Sequence, residues 1–186
     1  FVLTNLTGEI LKHVRIFLPY THEEAYYRRV NDELESFLEE SNADRKKILG
    51  IGISFPGIID LDRQLITYSH ILGVKMLSFD SVSRFFDYPC CFLNDANAGA
   101  YAEGIRSDER ERFFYLSLSN TVGGAIFDHH GLVQGDYFRC GEVGHMTVIP
   151  DGKICYCGKK GCLDAYCSAA ILSGAVSYTH LTLPTT

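Results

Sequence analysis

Between residues 145 and 162 the sequence reads HMTVIPDGKICYCGKKGC, a histidine followed ten residues later by Cys-x-Cys-x4-Cys. No other stretch limits the fold so tightly. His145, Cys155, Cys157 and Cys162 can serve one ion only if the backbone between them doubles back. Three thiolates and an imidazole are the donor set of closed, tetrahedral, structural zinc. Gly158 and Gly161 give the chain the freedom to bring the sulfurs together. The competing readings are ordinary buried cysteines, or a disulfide in a secreted protein. Seven cysteines behind an opening that does not read as a signal peptide, three of them within eight residues, weigh against both. Structural Zn2+ is therefore expected. With four protein ligands it holds no catalytic water, and its expected work is to pin the loop that carries Glu142 and His145. One ring nitrogen of His145 would face the metal and the other would be free for a neighbour or ligand. Cys90, Cys91, Cys140 and Cys167 lack ligand spacing and read as small buried apolar residues.

Around this loop, strand and helix patterns alternate, which indicates an α/β fold. Residues Phe1–Leu6 and Ile10–Leu18 read as a hairpin about a Thr7-Gly8 turn, ended by Pro19. Thr21-x-x-Glu24 reads as a capping box, and Val30, Leu34, Phe37 and Leu38 recur at helical spacing, predicting a helix over residues ~22–42. Ile48–Phe55 is apolar on both faces, as a buried central strand is, and Pro56-Gly57 turns the chain at its end. A short helix is expected over Ser81–Phe86, a buried strand over Cys90–Leu93, and a small-residue helix over Ala96–Gly104. Further strands are expected over Phe113–Ser119 and Ala125–Phe127, joined by the glycine-bearing turn Asn120–Gly124, with a tight turn at His130-Gly131. After an irregular stretch to Gly161, a helix is expected from Leu163 to about Leu172. Residues 1–105 are read as one lobe and 106–175 as the start of a second. Gly57, Asp95 and Gly123 fall at strand ends, where α/β folds place their ligands.

Composition narrows the function classes. Lys and Arg number 17 against 23 Asp and Glu, so the net charge of −6 leaves no electrostatic footprint for nucleic acid. At 46% hydrophobic the chain can bury a core, which excludes a disordered tail. No apolar run approaches the ~20 residues that span a bilayer, so a cytoplasmic protein without membrane contact is expected. Phe1 enters in the middle of a β-pattern. Val176–Thr186 (VSYTHLTLPTT) is uncharged and has no helical period, and it reads as the translation of a sequencing adapter set apart from the fold. The chain is thus expected to be open at both ends.

Four ordered motifs carry a family resemblance: Gly52-x-Ser54-x-Pro56-Gly57, Leu93-Asn94-Asp95-Ala96-Asn97-Ala98, Gly141-Glu142-Val143-Gly144-His145, and Cys155-Tyr156-Cys157-Gly158-Lys159-Lys160-Gly161-Cys162-Leu163-Asp164. Spanning residues ~50–170, they resemble the ROK proteins: repressors, unassigned reading frames and sugar kinases on an actin-like (ribonuclease H-like) ATPase fold. The resemblance implies a site for a hexose or N-acetylhexosamine. Asn94 and Asp95 match the pair that binds sugar hydroxyls, Asp95 being the general base in the kinases. Glu142 and His145 match the sugar-contacting pair on the zinc-anchored loop. Asp164 stands where the family usually has a sugar-binding glutamate, one methylene longer. His70 falls near the position of a kinase asparagine that reaches the sugar.

The residues' own chemistry agrees with that site. A carboxylate accepts from two adjacent hydroxyls, and Asp95, between a strand end and a helix start, suits a base for phosphoryl transfer. Alone, Asp95 reads more readily as a helix N-cap; with the other motifs it is expected to do both jobs. Phosphates need glycine-rich turns. The family kinases carry one such turn in a region that would precede Phe1, and a second, Gly-Thr-Gly, which here reads Ser119-Asn120-Thr121-Val122-Gly123-Gly124. Two side chains stand where phosphates should approach, as in the family's repressors. The other reading is that Ser119 and Asn120 cap the turn while Thr121, Gly123 and Gly124 still bind the phosphates of Mg-ATP. The first expectation is a sugar-sensing module of a regulator that meets DNA only through a helix-turn-helix upstream, and the second is an ATP-dependent hexose kinase. The resemblance also allows a homodimer, for which no seam is readable.

Overall fold

In the computed structural model, residues 1–106 and 112–179 are described, with side chains to residue 174. Asn5 shapes the first turn, its Oδ1 accepting the backbone N–H groups of Thr7 and Glu9 at 3.0 Å each. The hairpin it closes is shorter than its alternation suggests: Val2–Thr4 (β1) pairs antiparallel with Ile10–His13 (β2). Pairing stops there because Val14 already bonds the carbonyl of Phe1, where β1 runs out.

The long helix spans Glu24–Glu40 (α1) and buries Tyr27, Leu34, Phe37 and Leu38. Its N-cap is Glu23, with no side-chain bond, so the expected Thr21–Glu24 capping box does not form. A box needs its acid at the third helical position, and Glu24 occupies the first.

Ile51–Ser54 (β3) pairs parallel with Cys90–Leu93 (β7), Ile51 opposite Cys90 and Ser54 opposite Leu93. Contrary to expectation β3 is not buried on both faces. Among the described residues β7 is its sole partner, Ile51 and Ile53 face the cores, and Gly52 and Ser54 are exposed. Cys91 lies on that open face and is exposed, while Cys90, Cys140 and Cys167 are half-buried; none of the four is the buried residue expected. An antiparallel meander not foreseen from sequence fills the space between: Ile58–Asp60 (β4), Leu65–Ser69 (β5) and Val74–Ser78 (β6). Its central residue Ile66 joins Phe55, Ile59, Val74, Val82 and Phe92 in the main core, beneath Tyr27 of α1. The short helix is Asp80–Ser83 (α2), ending before Phe85 and Phe86.

Asp95–Arg106 (α3) lies on a second meander of Phe113–Leu118 (β8), Val122–Asp128 (β9) and Gly131–Val133 (β10). Small residues allow the close contact expected of this helix: Gly99 sits against the ring of Tyr115 and Gly104 against that of Phe127. Strand β9 starts earlier than the sequence suggests. Gly123 and Gly124 pair with Ser117 and Leu116, so both glycines belong to a strand, and the connecting turn shrinks to Ser119–Thr121.

The final expected helix is two: Asp164–Cys167 (α4) and Ala169–Thr179 (α5), broken where Ser168 turns extended at ψ 149°. Helix α5 continues past Val176 to Thr179, against the loss of helical continuity expected there. Residues 180–186, the rest of the adapter-like segment, lie outside the described residues. Among those described, no helix is long and apolar enough to cross a membrane.

Candidate functional site

A cleft of about 260 Å3 opens where the two meanders meet the cysteine loop. Its first wall is built from the end of β7. Asn94, not Asp95, caps α3: its Oδ1 accepts the N–H of Asn97 at 2.8 Å, while its Nδ2 donates to the carbonyl of Gly57 at 3.2 Å. One side chain thereby fastens the turn after β3 to the start of α3. With capping done by its neighbour, the exposed Asp95 carboxylate faces the cleft and accepts just the adjacent N–H of Ala96, at 3.0 Å, among the bonds described.

The opposite wall is the Gly141–His145 segment, laid directly on β9. Gly141 holds φ at +89°, and a Cβ on it would come 2.5 Å from the carbonyl oxygen of Gly124. A Cβ on Gly144 would come 2.1 Å from that of Val122. Only a backbone bare at both positions can lie this close, and the result is that Glu142 and His145 both line the cleft. Packing about the Glu142 carboxyl raises its pKa above the ordinary glutamate value although the residue as a whole is exposed, with His145 opposing the rise and Asp95 adding to it.

Behind this wall His145, Cys155, Cys157 and Cys162 converge, their four donor atoms all within 4.8 Å of one another. Nδ1 of His145 lies 3.8 Å from Sγ of Cys155, and Sγ of Cys157 lies 3.8 Å from Sγ of Cys162. Zinc–sulfur bonds of about 2.3 Å in a tetrahedron set sulfurs about 3.8 Å apart, so the donor set fits zinc in kind and spacing. Cys155 and Cys162 are 3% and 0% exposed, and with Ala165 they form a small core of their own. Burial pushes the Cys155 thiol up to about 12 and raises that of Cys162. Burial acts on Cys157 in the same direction, but the backbone N–H of Lys159 and the two neighbouring thiols hold it below the usual value. Three sulfurs so placed ionise together only beside a cation. The backbone is braced around them: Lys159 Nζ donates to the carbonyl of His145 at 2.9 Å, and Leu163 N–H to that of Met146 at 2.9 Å.

Of the residues singled out in the sequence, Asn94, Asp95, Thr121, Gly123, Glu142, His145 and His70 all line the cleft. Asp164 does not. It is 4% exposed, and its Oδ1 accepts the backbone N–H of Val122. Gly124 is likewise turned away, against Phe114 and Val143. The Ser119–Thr121 turn is closed by protein groups: Ser119 Oγ donates to the carbonyl of Thr121 at 3.1 Å, and the Ser119 carbonyl accepts the N–H of Ala169 at 2.7 Å.

Sequence reasoning missed Arg139, Tyr68 and Tyr156, which also line the cleft. Tyr156 stands between two cysteines, and its hydroxyl lies 3.3 Å from Nε2 of His145 and its ring 4.8 Å from that of His70. Only its place inside the ligand motif could have drawn attention to it.

Residues 1–182 match the model described as the ROK family. The chain is similar to the xylose repressor of Bacillus subtilis (strain 168), at 30% identity over 92% of this chain and 45% of the repressor. It is also similar to the glucokinase of Halalkalibacterium halodurans, at 31% identity over 75% of this chain and 44% of the kinase. Among solved structures, a ROK family transcriptional regulator homologous to the E. coli MLC protein matches with TM-score 0.77 and 26% identity, over 96% of this chain and 46% of that one. The chain thus spans about half the length of the curated relatives it matches.

Proposed function

Given that the chain belongs to the ROK family, we propose that its cleft binds a monosaccharide and that the chain is the sugar-sensing part of a transcriptional regulator. The observation that carries the sugar reading is the convergence of Asn94, Asp95, Glu142 and His145 on one cleft from segments far apart in sequence. Carboxylates at 95 and 142 accept sugar hydroxyls, the remaining amide proton of Asn94 donates to one, and Nε2 of His145 faces another. His145, Cys155, Cys157 and Cys162 would hold Zn2+, which supplies a structural cross-link between the Gly141–His145 wall and the Cys155–Cys162 turn.

The regulator reading is favoured over the kinase by the turn after β8. A nucleotide's phosphates need free backbone N–H groups; here the N–H of Val122 is given to Asp164, and the Ser119 hydroxyl closes the turn onto the carbonyl of Thr121. Sugar would then act by favouring one arrangement of the protein over another through differential affinity. Contact with DNA falls to a helix-turn-helix outside these residues, in keeping with the net charge of −6.

One observation favours the second reading, a hexose kinase: the Asp95 carboxylate stands in the cleft with little to hold it, as a general base would. Calorimetric titration of the full-length protein with D-glucose and D-xylose, followed by an assay of its ADP formation in Mg-ATP, separates the two. Sugar binding without ADP formation is expected. Sugar-dependent ADP formation that Asp95→Asn abolishes would overturn the sensor in favour of the kinase.

A further inference from the structure

We infer that Tyr156 is a specificity-determining residue of the cleft, its hydroxyl standing in for a sugar hydroxyl on His145 and its ring forming, with His70, the wall that sorts one monosaccharide from another. The inference rests on the sugar reading above.

A count of ring nitrogens leads to it. Nδ1 of His145 faces the sulfur cluster, so Nε2 is the one nitrogen left for a ligand, and the Tyr156 hydroxyl already lies 3.3 Å from it. A sugar hydroxyl that takes Nε2 has to displace this contact. Tyr156 is fixed at its base between Cys155 and Cys157, so the side chain can respond only by turning about its own bonds. Those turns are limited in their turn by His70. Its ring lies 4.8 Å from that of Tyr156 at 32°, and its Nδ1 is 2.8 Å from the Tyr68 hydroxyl on β5. The aromatic pair therefore bridges the cysteine loop and the edge of the first meander, beside the cleft rather than behind it.

A pyranose has hydroxylated edges and a C–H face. The edges suit Asp95, Glu142 and His145, and the Tyr156–His70 pair offers the apolar surface for the face or for a substituent on it. The two rings stand beside His145, so their side chains set the width of the cleft at this wall. The ligand class proposed for this wall is the unsubstituted aldoses, the bulkier N-acetyl group being disfavoured by the two rings.

The test is calorimetry on the zinc-loaded 186-residue chain and its variants with D-glucose, D-xylose and N-acetyl-D-glucosamine, with metal content measured on every sample. Tyr156→Phe keeps the ring and removes the hydroxyl, and it is expected to shift all three affinities by a common factor. Tyr156→Ala opens the wall and is expected to change the ratio of aldose to N-acetylhexosamine affinity by about fivefold or more toward the larger sugar. His70→Ala, which removes the stack from the far side, is expected to move the ratio the same way and keeps the test open if Tyr156→Ala fails to fold. Ratios that stay within about twofold in both alanine variants, with zinc retained, overturn the inference alone. Zinc lost from Tyr156→Phe overturns it in favour of a structural role in the loop. A parent chain that binds none of the three sugars overturns the sugar reading itself, and this inference with it.

Discussion

Oδ1 of Asp164, the first residue of α4, accepts the backbone N–H of Val122, the first residue of β9, from 42 positions away in the chain. This bond fastens the segment after the cysteine loop to the floor of the cleft. It gives Asp164 a structural partner within the protein.

Removing that acceptor leaves a buried N–H with no partner. Asp164→Ala is expected to destabilise the protein by about 1–3 kcal/mol, seen as a lower melting temperature with metal content unchanged. A melting temperature equal to that of the parent would mean that the bond contributes nothing.

Cys157→Ser takes one of four donors from the cluster. Bound zinc is expected to fall well below one per chain, and amide exchange across residues 141–162 to accelerate, because the Gly141–His145 wall shares His145 with the cluster. A chelator should reproduce both effects in the parent protein. Full zinc occupancy in the variant, by elemental analysis, would rule out the assigned ligand set.

The close approach of the Gly141–His145 segment to β9 gives a steric prediction. Gly144→Ala places a methyl group 2.1 Å from the Val122 carbonyl oxygen, which the backbone has to relieve by moving. Overpacking of this kind costs about 1–3 kcal/mol. Sugar affinity should drop alongside stability, since Glu142 and His145 shift with the segment. Chemical denaturation and calorimetry of this one variant check both halves.

Alkaline pH should act on the main core through Tyr27. Burial, and then the hydrogen bond with Tyr20, raise the pKa of Tyr27 above the ordinary phenol value. The folded protein therefore keeps this proton to higher pH than the unfolded chain does. The associated stability is complete below about pH 10 and is lost as pH rises beyond it. Tyr27→Phe is expected to be slightly less stable near neutrality, having lost the 3.0 Å bond to Tyr20, and to lose less on going to about pH 11. Urea denaturation of both proteins at the two pH values measures the difference, and equal losses would place the sensitive group elsewhere.

How far the site could be read from the sequence depends on what kind of information each residue carries. His145 and the three cysteines declare themselves because donor type and spacing are local, and the structure brings them together. Asn94 and Glu142 are legible as part of motifs, but the division of labour at the start of α3 is not. Whether Asn94 or Asp95 caps the helix depends on where Gly57 lies, 37 residues back. The meander β4–β6 is hidden by its own shortness, with strands of three to five residues carrying Asp60, Thr67, Ser69 and Lys75 among the apolar positions. Gly123 and Gly124 look like a turn because glycine usually marks one, but they sit in a strand, where Gly124 leaves room for the Gly141 backbone and Gly123 for Ala96 of α3. Tyr156 gives no signal at all before His70 and His145 are seen on either side of it.

His145 makes the ion and the ligand share a single plane of atoms. Nδ1 points at the sulfurs and Nε2 at the cleft, so neither nitrogen can be re-aimed without re-aiming the other. With zinc and a sugar bound as proposed, thermodynamic reciprocity ties the two occupancies together: whatever factor the metal contributes to sugar affinity, the sugar returns as the same factor in metal affinity. On the proposed reading, the supply of one would set the concentration range over which the other binds.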